Sequence, residues 1–246
     1  MKFDSQREDL KKKGYCIVPI NPCVSLLNDM RTHVFKINNC ISKKKGLGNV
    51  KNEKDLIRFR LENQPLQYTG VKHLWNSSTL LSIGGHTYFE YLLKNICNFE
   101  EPIHDTKPLI RVDMPIEEQS LFKPHQDYTY NIGSKNAVTF WIPLQDTGYK
   151  EGSLLVSPGS HLKGIYENKK GIIDDKFKFE FENCNVKFGE AIIFNQKLVH
   201  QSGLNVSNKI RFSIQLRFSD LGCEEYSSRD FPLNSQLKTI RYENET

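Results

Sequence analysis

His125 and Asp127 sit two residues apart in the stretch LFKPHQDYTY. On a β-strand, side chains at i and i+2 leave the same face with their Cα atoms ~7 Å apart. From there both can reach one metal ion. An imidazole and a carboxylate form a hard-to-borderline donor set that suits Fe(II), Mn(II) or Zn(II). The third ligand is best supplied by His200, which follows the apolar run Ala191 to Phe194 and stands just before Gln201-Ser202-Gly203, near a strand end. Eleven residues later comes Arg211, in the most regular alternation of the chain. A His-x-Asp pair alone arises often by chance, and its conjunction with His200 and Arg211 is what points to chemistry. Two histidines and one carboxylate on one face leave three positions open on a non-haem Fe(II) ion. A bidentate 2-oxo acid can fill two of them and O2 the third.

The second half of the chain must position these groups, and there hydrophobicity alternates with period two. Ile110, Val112 and Met114 alternate with Leu109, Arg111 and Asp113, and Val138, Phe140, Ile142 and Leu144 with Thr139 and Trp141. Ile210, Phe212, Ile214, Leu216 and Phe218 alternate with Arg211, Ser213, Gln215, Arg217 and Ser219. Further strands are expected over 121–127, 152–156, 186–194 and 199–203, and Ser157-Pro158-Gly159-Ser160 has the order of a type II turn. The polar face of such a strand is ordinarily solvated. Here the polar faces hold two histidines, an aspartate, a serine and arginines, the groups that a metal and an anionic ligand require of a barrel interior.

The first hundred residues read mainly as helix. A charged helix ends at Gly14, a short strand runs from Tyr15 to Ile20, and Asn21-Pro22 looks like an N-cap with proline at the first helical position. Leu27, Met30, Val34 and Ile37 follow at helical spacing. Ser78 is expected to cap a helix carrying Leu81, Tyr88, Leu92 and Ile96, while residues 41–76 lack a clear period and read as a long loop or lid. Residues 220–246 form a polar tail.

At 246 residues the chain suits one domain with a full core. Its 34 basic and 29 acidic residues give a net charge of +5, scattered along the chain, so no nucleic-acid surface is expected. No stretch approaches the ~18 apolar residues of a membrane helix. The charged N-terminus MKFDSQREDLKKKG is unlike a signal peptide. Six cysteines with no CxxC pair read as free thiols, so a cytoplasmic protein is expected.

Three stretches, HQDYTYNIGSKNAVTFWIPLQD, EGSLLVSPGSH and GEAIIFNQKLVHQSGLN…KIRFSIQLRF, resemble the phytanoyl-CoA dioxygenase-like family of Fe(II)/2-oxoglutarate-dependent oxygenases. They cover roughly 105–219. The resemblance implies an α+β protein with a double-stranded β-helix core (jelly-roll, cupin-like), helices packed on one face, and 1–104 as support and lid in a single domain. It implies His125, Asp127 and His200 as the iron ligands. Arg211 would take the distal carboxylate of 2-oxoglutarate in a bidentate pair, with Ser202 adding a hydrogen bond and Thr139 and Trp141 on the cosubstrate side. Arg111 either holds the substrate or the 2-oxoglutarate C1 carboxylate, or forms a structural ion pair with Asp113 or another acid. Tyr128 and Tyr130 either line the substrate pocket or pack.

The implied reaction is an O2-dependent hydroxylation of a small molecule, with release of succinate and CO2. Asp127 stands where related halogenases carry a small residue, which favours hydroxylation, or a related desaturation or ring closure, over halogenation. The Arg211…Arg217 spacing is similar to that of the nucleic-acid demethylase branch, but Thr129 replaces the glutamate of its HxDxE pattern. The alternative from another class is a catalytically silent jelly-roll protein that keeps the barrel as a ligand pocket.

Overall fold

The computed structural model describes residues 3–130, 134–228 and 230–231. Helix α1 (Asp4–Lys13) stops at Gly14, whose φ of 85° is the left-handed conformation a glycine cap supplies. Strand β1 (Tyr15–Pro19) follows. Asn21 does not cap the next helix with its side chain; Asn21–Cys23 form a 3-10 turn that leads into α2 (Val24–Lys44), with Leu27, Met30 and Val34 buried as the spacing predicts.

Residues 41–76 are not a loop. They contain α3 (Glu53–Glu62) and α4 (Gln64–Leu74). The Asn52 side chain caps α3 by accepting from the Asp55 amide at 3.0 Å, and Pro65 opens α4. Each helix buries only a narrow stripe, Leu56 and Phe59 in one and Gln67, Val71 and Leu74 in the other. So few apolar positions among polar ones leave no legible period. Ser77, not Ser78, caps α5 (Ser78–Gly84), which turns Leu80 and Ile83 inward and leaves Leu81 exposed. The helix breaks at Gly85, resumes as α6 (Thr87–Leu92) and ends in a π-turn over Leu93–Cys97.

The rest is antiparallel sheet: β2 (Pro102–His104), β3 (Leu109–Asp113), β4 (Ala137–Pro143), β5 (Leu154–Val156), β6 (Asn168–Lys169), β7 (Ile172–Ile173), β8 (Glu182–Asn183), β9 (Glu190–Asn195), β10 (His200–Ser202) and β11 (Arg211–Asp220). A short α7 (Glu224–Ser227) follows, and residues 232–246 of the expected tail lie outside the described residues. One sheet has the order β1-β9-β4-β11-β2, with β3 also paired to β11; the second has the order β10-β5-β8, and β6 and β7 form a hairpin. The expected strand over 121–127 is absent. Pro124 has no amide to give a ladder, so only an isolated bridge joins His125 to His200, and Asp127–Thr129 form a 3-10 turn.

Two apolar layers fix the architecture. Phe140, Ile142, Phe212, Ile214 and Leu216 leave the larger sheet toward the helices, where they join Leu27, Met30 and Phe89. Trp141, Ile192 and Phe194 leave its other face and meet Leu154, Val156 and Leu198 of the facing side. Covered on both faces, β4 is buried along all seven residues. This is the α+β jelly roll that was expected, with helices on one sheet and the polar alternation of β11 turned inward.

A lid would tolerate truncation of Phe59, but a packed helix would not. Phe59→Ala is expected to cost about 3–5 kcal/mol of unfolding free energy, read by urea denaturation; a loss below about 1 kcal/mol, typical of surface sites, would mean that α3 does not pack.

Candidate metal centre

The backbones of His125 and His200 exchange two hydrogen bonds, each amide donating to the other's carbonyl at 3.0 Å. This brings the rings within 4.1 Å of each other, centroid to centroid. Each Nδ1 faces a carbonyl two residues earlier, Lys123 O at 2.8 Å and Leu198 O at 3.0 Å. A carbonyl only accepts, so Nδ1 carries the proton and Nε2 keeps its lone pair. Both Nε2 atoms lie 3.8 Å from the same oxygen, Oδ1 of Asp127. The ligand atoms of all three residues fall within 4.8 Å of one another.

Charge is distributed to suit a cation. Burial opposes ionisation of Asp127, but the Arg217 guanidinium and the two imidazoles outweigh it and hold the carboxyl well below the usual range. Arg217 donates from Nε to Oδ2 at 3.0 Å and from Nη2 to Oδ1 at 3.3 Å, and the Thr139 hydroxyl donates to Oδ2 at 2.7 Å. Burial, then the neighbouring His125, pushes His200 down to about 3, and burial lowers His125 as well. Two unprotonated nitrogens and one carboxylate thus converge in a buried site. That donor set fits one divalent ion of the Fe(II) type.

Thr139, expected beside the cosubstrate, serves the carboxylate of Asp127 instead. Arg217 was outside the expected site. Its signal was the alternation itself, since it shares the polar face of β11 with Arg211, Ser213 and Gln215.

A cavity of about 510 Å³ contains the three residues and is also lined by Arg111, Tyr130, Trp141, Ser202, Arg211 and Arg217. Tyr130 is partly exposed, whereas Tyr128 is buried and does not line the cavity; it packs, with Lys197 5.5 Å from its ring centre. The Ser202 hydroxyl accepts the Phe122 amide at 3.1 Å, which leaves its hydrogen for a ligand. Arg211 is nearly spent. Its Nε donates to Asp113 Oδ2 at 3.3 Å, its Nη2 lies 3.0 Å from the same oxygen, and its Nη1 donates to the Gly152 and Gly203 carbonyls. The bidentate carboxylate pair expected of Arg211 alone is therefore not on offer. Of the two readings left open for Arg111, the ion pair with Asp113 is present at 2.5 Å. The opposite wall escaped the sequence reading: Arg60 and Gln67, from α3 and α4, face the cavity together with Glu117.

A family model described as phytanoyl-CoA dioxygenase matches residues 59–213, more than half of the chain. The chain belongs to the phytanoyl-CoA dioxygenase family. Phytanoyl-CoA dioxygenase 1 of Oryza sativa subsp. japonica is 30% identical over 115 residues, 41% of this chain and 40% of that protein. Phytanoyl-CoA dioxygenase domain-containing protein 1 of Danio rerio is 28% identical over 190 residues, 64% of this chain and 63% of that protein. The match thus spans about two fifths of the length of the rice relative. Among solved structures, the non-heme monooxygenase ThoJ in its apo form superposes with a TM-score of 0.64 at 15% identity, over 88% of this chain and 78% of its own. The epimerase SnoN in complex with Fe3+, alpha ketoglutarate and nogalamycin RO gives 0.62 at 15% identity, over 89% and 84%. At such identities the likeness is one of fold. Fe(II) and 2-oxoglutarate, the cofactors expected from the sequence, agree with the family and with the donor set.

The depressed imidazoles make a pH prediction. In the unfolded chain His200 takes up a proton near its ordinary value of 6.5; in the fold it stays neutral down to about 3. The unfolded state therefore binds more protons in that window, and stability falls as pH falls. The melting temperature of metal-free protein is expected to drop from pH 6.5 toward 4, with a smaller slope in His200→Gln; equal slopes in the two proteins would contradict a buried neutral imidazole. Arg217→Ala is expected to weaken metal binding roughly 10–100-fold, as removal of outer-shell support does elsewhere, measured by Mn(II) titration.

Proposed function

We propose that this protein is an Fe(II)- and 2-oxoglutarate-dependent dioxygenase that hydroxylates a small molecule. The carrying observation is the convergence of the two Nε2 atoms on one Asp127 oxygen, each 3.8 Å from it, in a cavity that also holds a guanidinium cluster. Asp113 serves two arginines with one carboxylate, Arg111 at 2.5 Å and Arg211 at 3.0 Å. One positive charge is left uncompensated there, which suits the distal carboxylate of a dicarboxylate cosubstrate. When bound, the ferrous ion with 2-oxoglutarate and O2 supplies the oxidising chemistry, with succinate and CO2 as coproducts.

The chain's own residues supply the order. His125 and His200 present their Nε2 atoms because the carbonyls behind them fix both rings. Asp127 contributes the one negative charge of the ligand set, and Arg217 and Thr139 hold its oxygens so that Oδ1 faces both imidazoles. Arg211 and Ser202 form the anion end of the cavity. Trp141, Leu154 and Phe194 wall it with apolar surface and exclude water. An intact Asp127 supports hydroxylation over halogenation. We take residues 105–219 as the catalytic barrel of a single domain. The reading of a silent ligand pocket gives His125, Asp127, His200, Arg211 and Ser202 no common task.

Anaerobic addition of Fe(II) and 2-oxoglutarate is expected to give a weak visible charge-transfer band. Asp127→Ala should abolish it at the same concentrations. In air, without added substrate, slow succinate release should follow. No band and no succinate from the wild-type protein would leave only the ligand-pocket reading.

A further inference from the structure

Arg111 holds the hydrogen-bond donors that Arg211 lacks. The two residues are diagonal neighbours on one sheet face: Arg211 is paired with Asp113 across β3 and β11, and Arg111 is paired with Ser213. Asp113 lies between the guanidinium groups, with Oδ1 toward Arg111 and Oδ2 toward Arg211. Of the Arg211 nitrogens, Nε and Nη1 are committed, and Nη2 keeps one hydrogen beyond its ion pair. Arg111 spends only Nη2, on Asp113 at 2.5 Å and on the Ser120 carbonyl at 2.9 Å. Its Nε and Nη1, three N–H groups in all, have no partner among the described residues. Its side chain is 17% exposed against 4% for Arg211, so the free donors are on the more open of the two. The Phe122 ring, 4.5 Å from Cζ, covers one face of the guanidinium and fixes its plane.

We propose that Arg111 is the second guanidinium of the cosubstrate site. The distal carboxylate of 2-oxoglutarate is shared between the free Nε and Nη1 donors of Arg111 and the remaining Nη2 hydrogen of Arg211. Asp113 and the incoming carboxylate then alternate with the two arginines, so each guanidinium lies between two anions. Before the ligand enters, Asp113 neutralises half of the positive charge and holds both side chains in place. This inference rests on the 2-oxoglutarate reading and names a residue that the reading alone does not require.

The test compares two ligands that differ only at the distal end, 2-oxoglutarate and 2-oxopentanoate, the latter with a methyl group in place of that carboxylate. Both tryptophans of the chain, Trp75 and Trp141, line the cavity, so dissociation constants can be read from fluorescence of the anaerobic Fe(II) protein. Wild-type protein should prefer 2-oxoglutarate, and Arg111→Gln should cut that preference roughly tenfold or more, the worth of a charge-assisted hydrogen bond. Arg111→Lys keeps Asp113 paired and should retain part of the preference. A variant that merely disturbs the metal centre weakens both ligands together and leaves their ratio unchanged. A wild-type preference that survives in both variants within twofold overturns the role of Arg111. A wild-type protein that binds neither 2-oxo acid overturns the cosubstrate reading itself.

Discussion

The Asp127 carboxylate, 2% exposed, is the most demanding charge in the molecule. Taking such an ion out of water costs several kcal/mol unless donors replace the hydration. Two strands meet to replace it. Thr139 on β4 and Arg217 on β11 are direct cross-strand partners, so their side chains leave the sheet side by side and both reach Oδ2. The imidazoles of His125 and His200 approach the other oxygen. Removing Thr139 or Arg217 leaves a buried anion short of donors, which couples the register of the large sheet to the placement of Asp127.

One strand also gives the cavity its polarity. Arg211 and Arg217 stand six residues apart on the inward face of β11, with Cα atoms about 20 Å apart along the strand at 3.4 Å per residue. At the Arg217 end the aspartate and the guanidinium cancel, but two unprotonated imidazole nitrogens and a carboxylate oxygen converge their lone pairs, so a cation is wanted. At the Arg211 end a single aspartate serves two guanidinium groups, so an anion is wanted. A ligand that presents a chelating head and a remote carboxylate matches both demands.

The helical half does more than cover the sheet. Trp75 donates from Nε1 to the Ile110 carbonyl at 3.0 Å, which ties the end of α4 to the strand that carries Arg111. Arg60 on α3 holds Glu117 through Nε at 3.0 Å and Nη2 at 2.8 Å. The residue before that glutamate, Ile116, sits at φ 55°, a conformation that β-branched side chains resist. Its amide donates to the Asn205 carbonyl at 2.8 Å, so the strained turn is anchored to the loop after His200. Strain of this kind, about 1–3 kcal/mol, persists where surrounding structure imposes it.

The inward polar face of β11 was legible in the chain because it follows from short-range periodicity, whereas the jelly-roll class came from the family resemblance and the candidate ligands from the conjunction of His125, Asp127, His200 and Arg211. Alternation with period two assigns a side chain to a face whatever else the fold does, and Ile210 to Ser219 keeps it without a break. Helices α3 and α4 were not legible, since a narrow stripe such as Leu56 and Phe59 becomes a core only when a partner surface covers it. The partners of charged groups were equally hidden. Nothing local says that Thr139 belongs to Asp127, that Arg217 holds the same carboxylate, or that Asp113 and two backbone carbonyls take most of the Arg211 donors while Arg111 keeps three. Those pairings depend on which strands lie side by side and in what register, and hydrogen bonds act over about 3 Å. The order of residues along the chain fixed which groups face the interior, and only tertiary packing decided which of them touch.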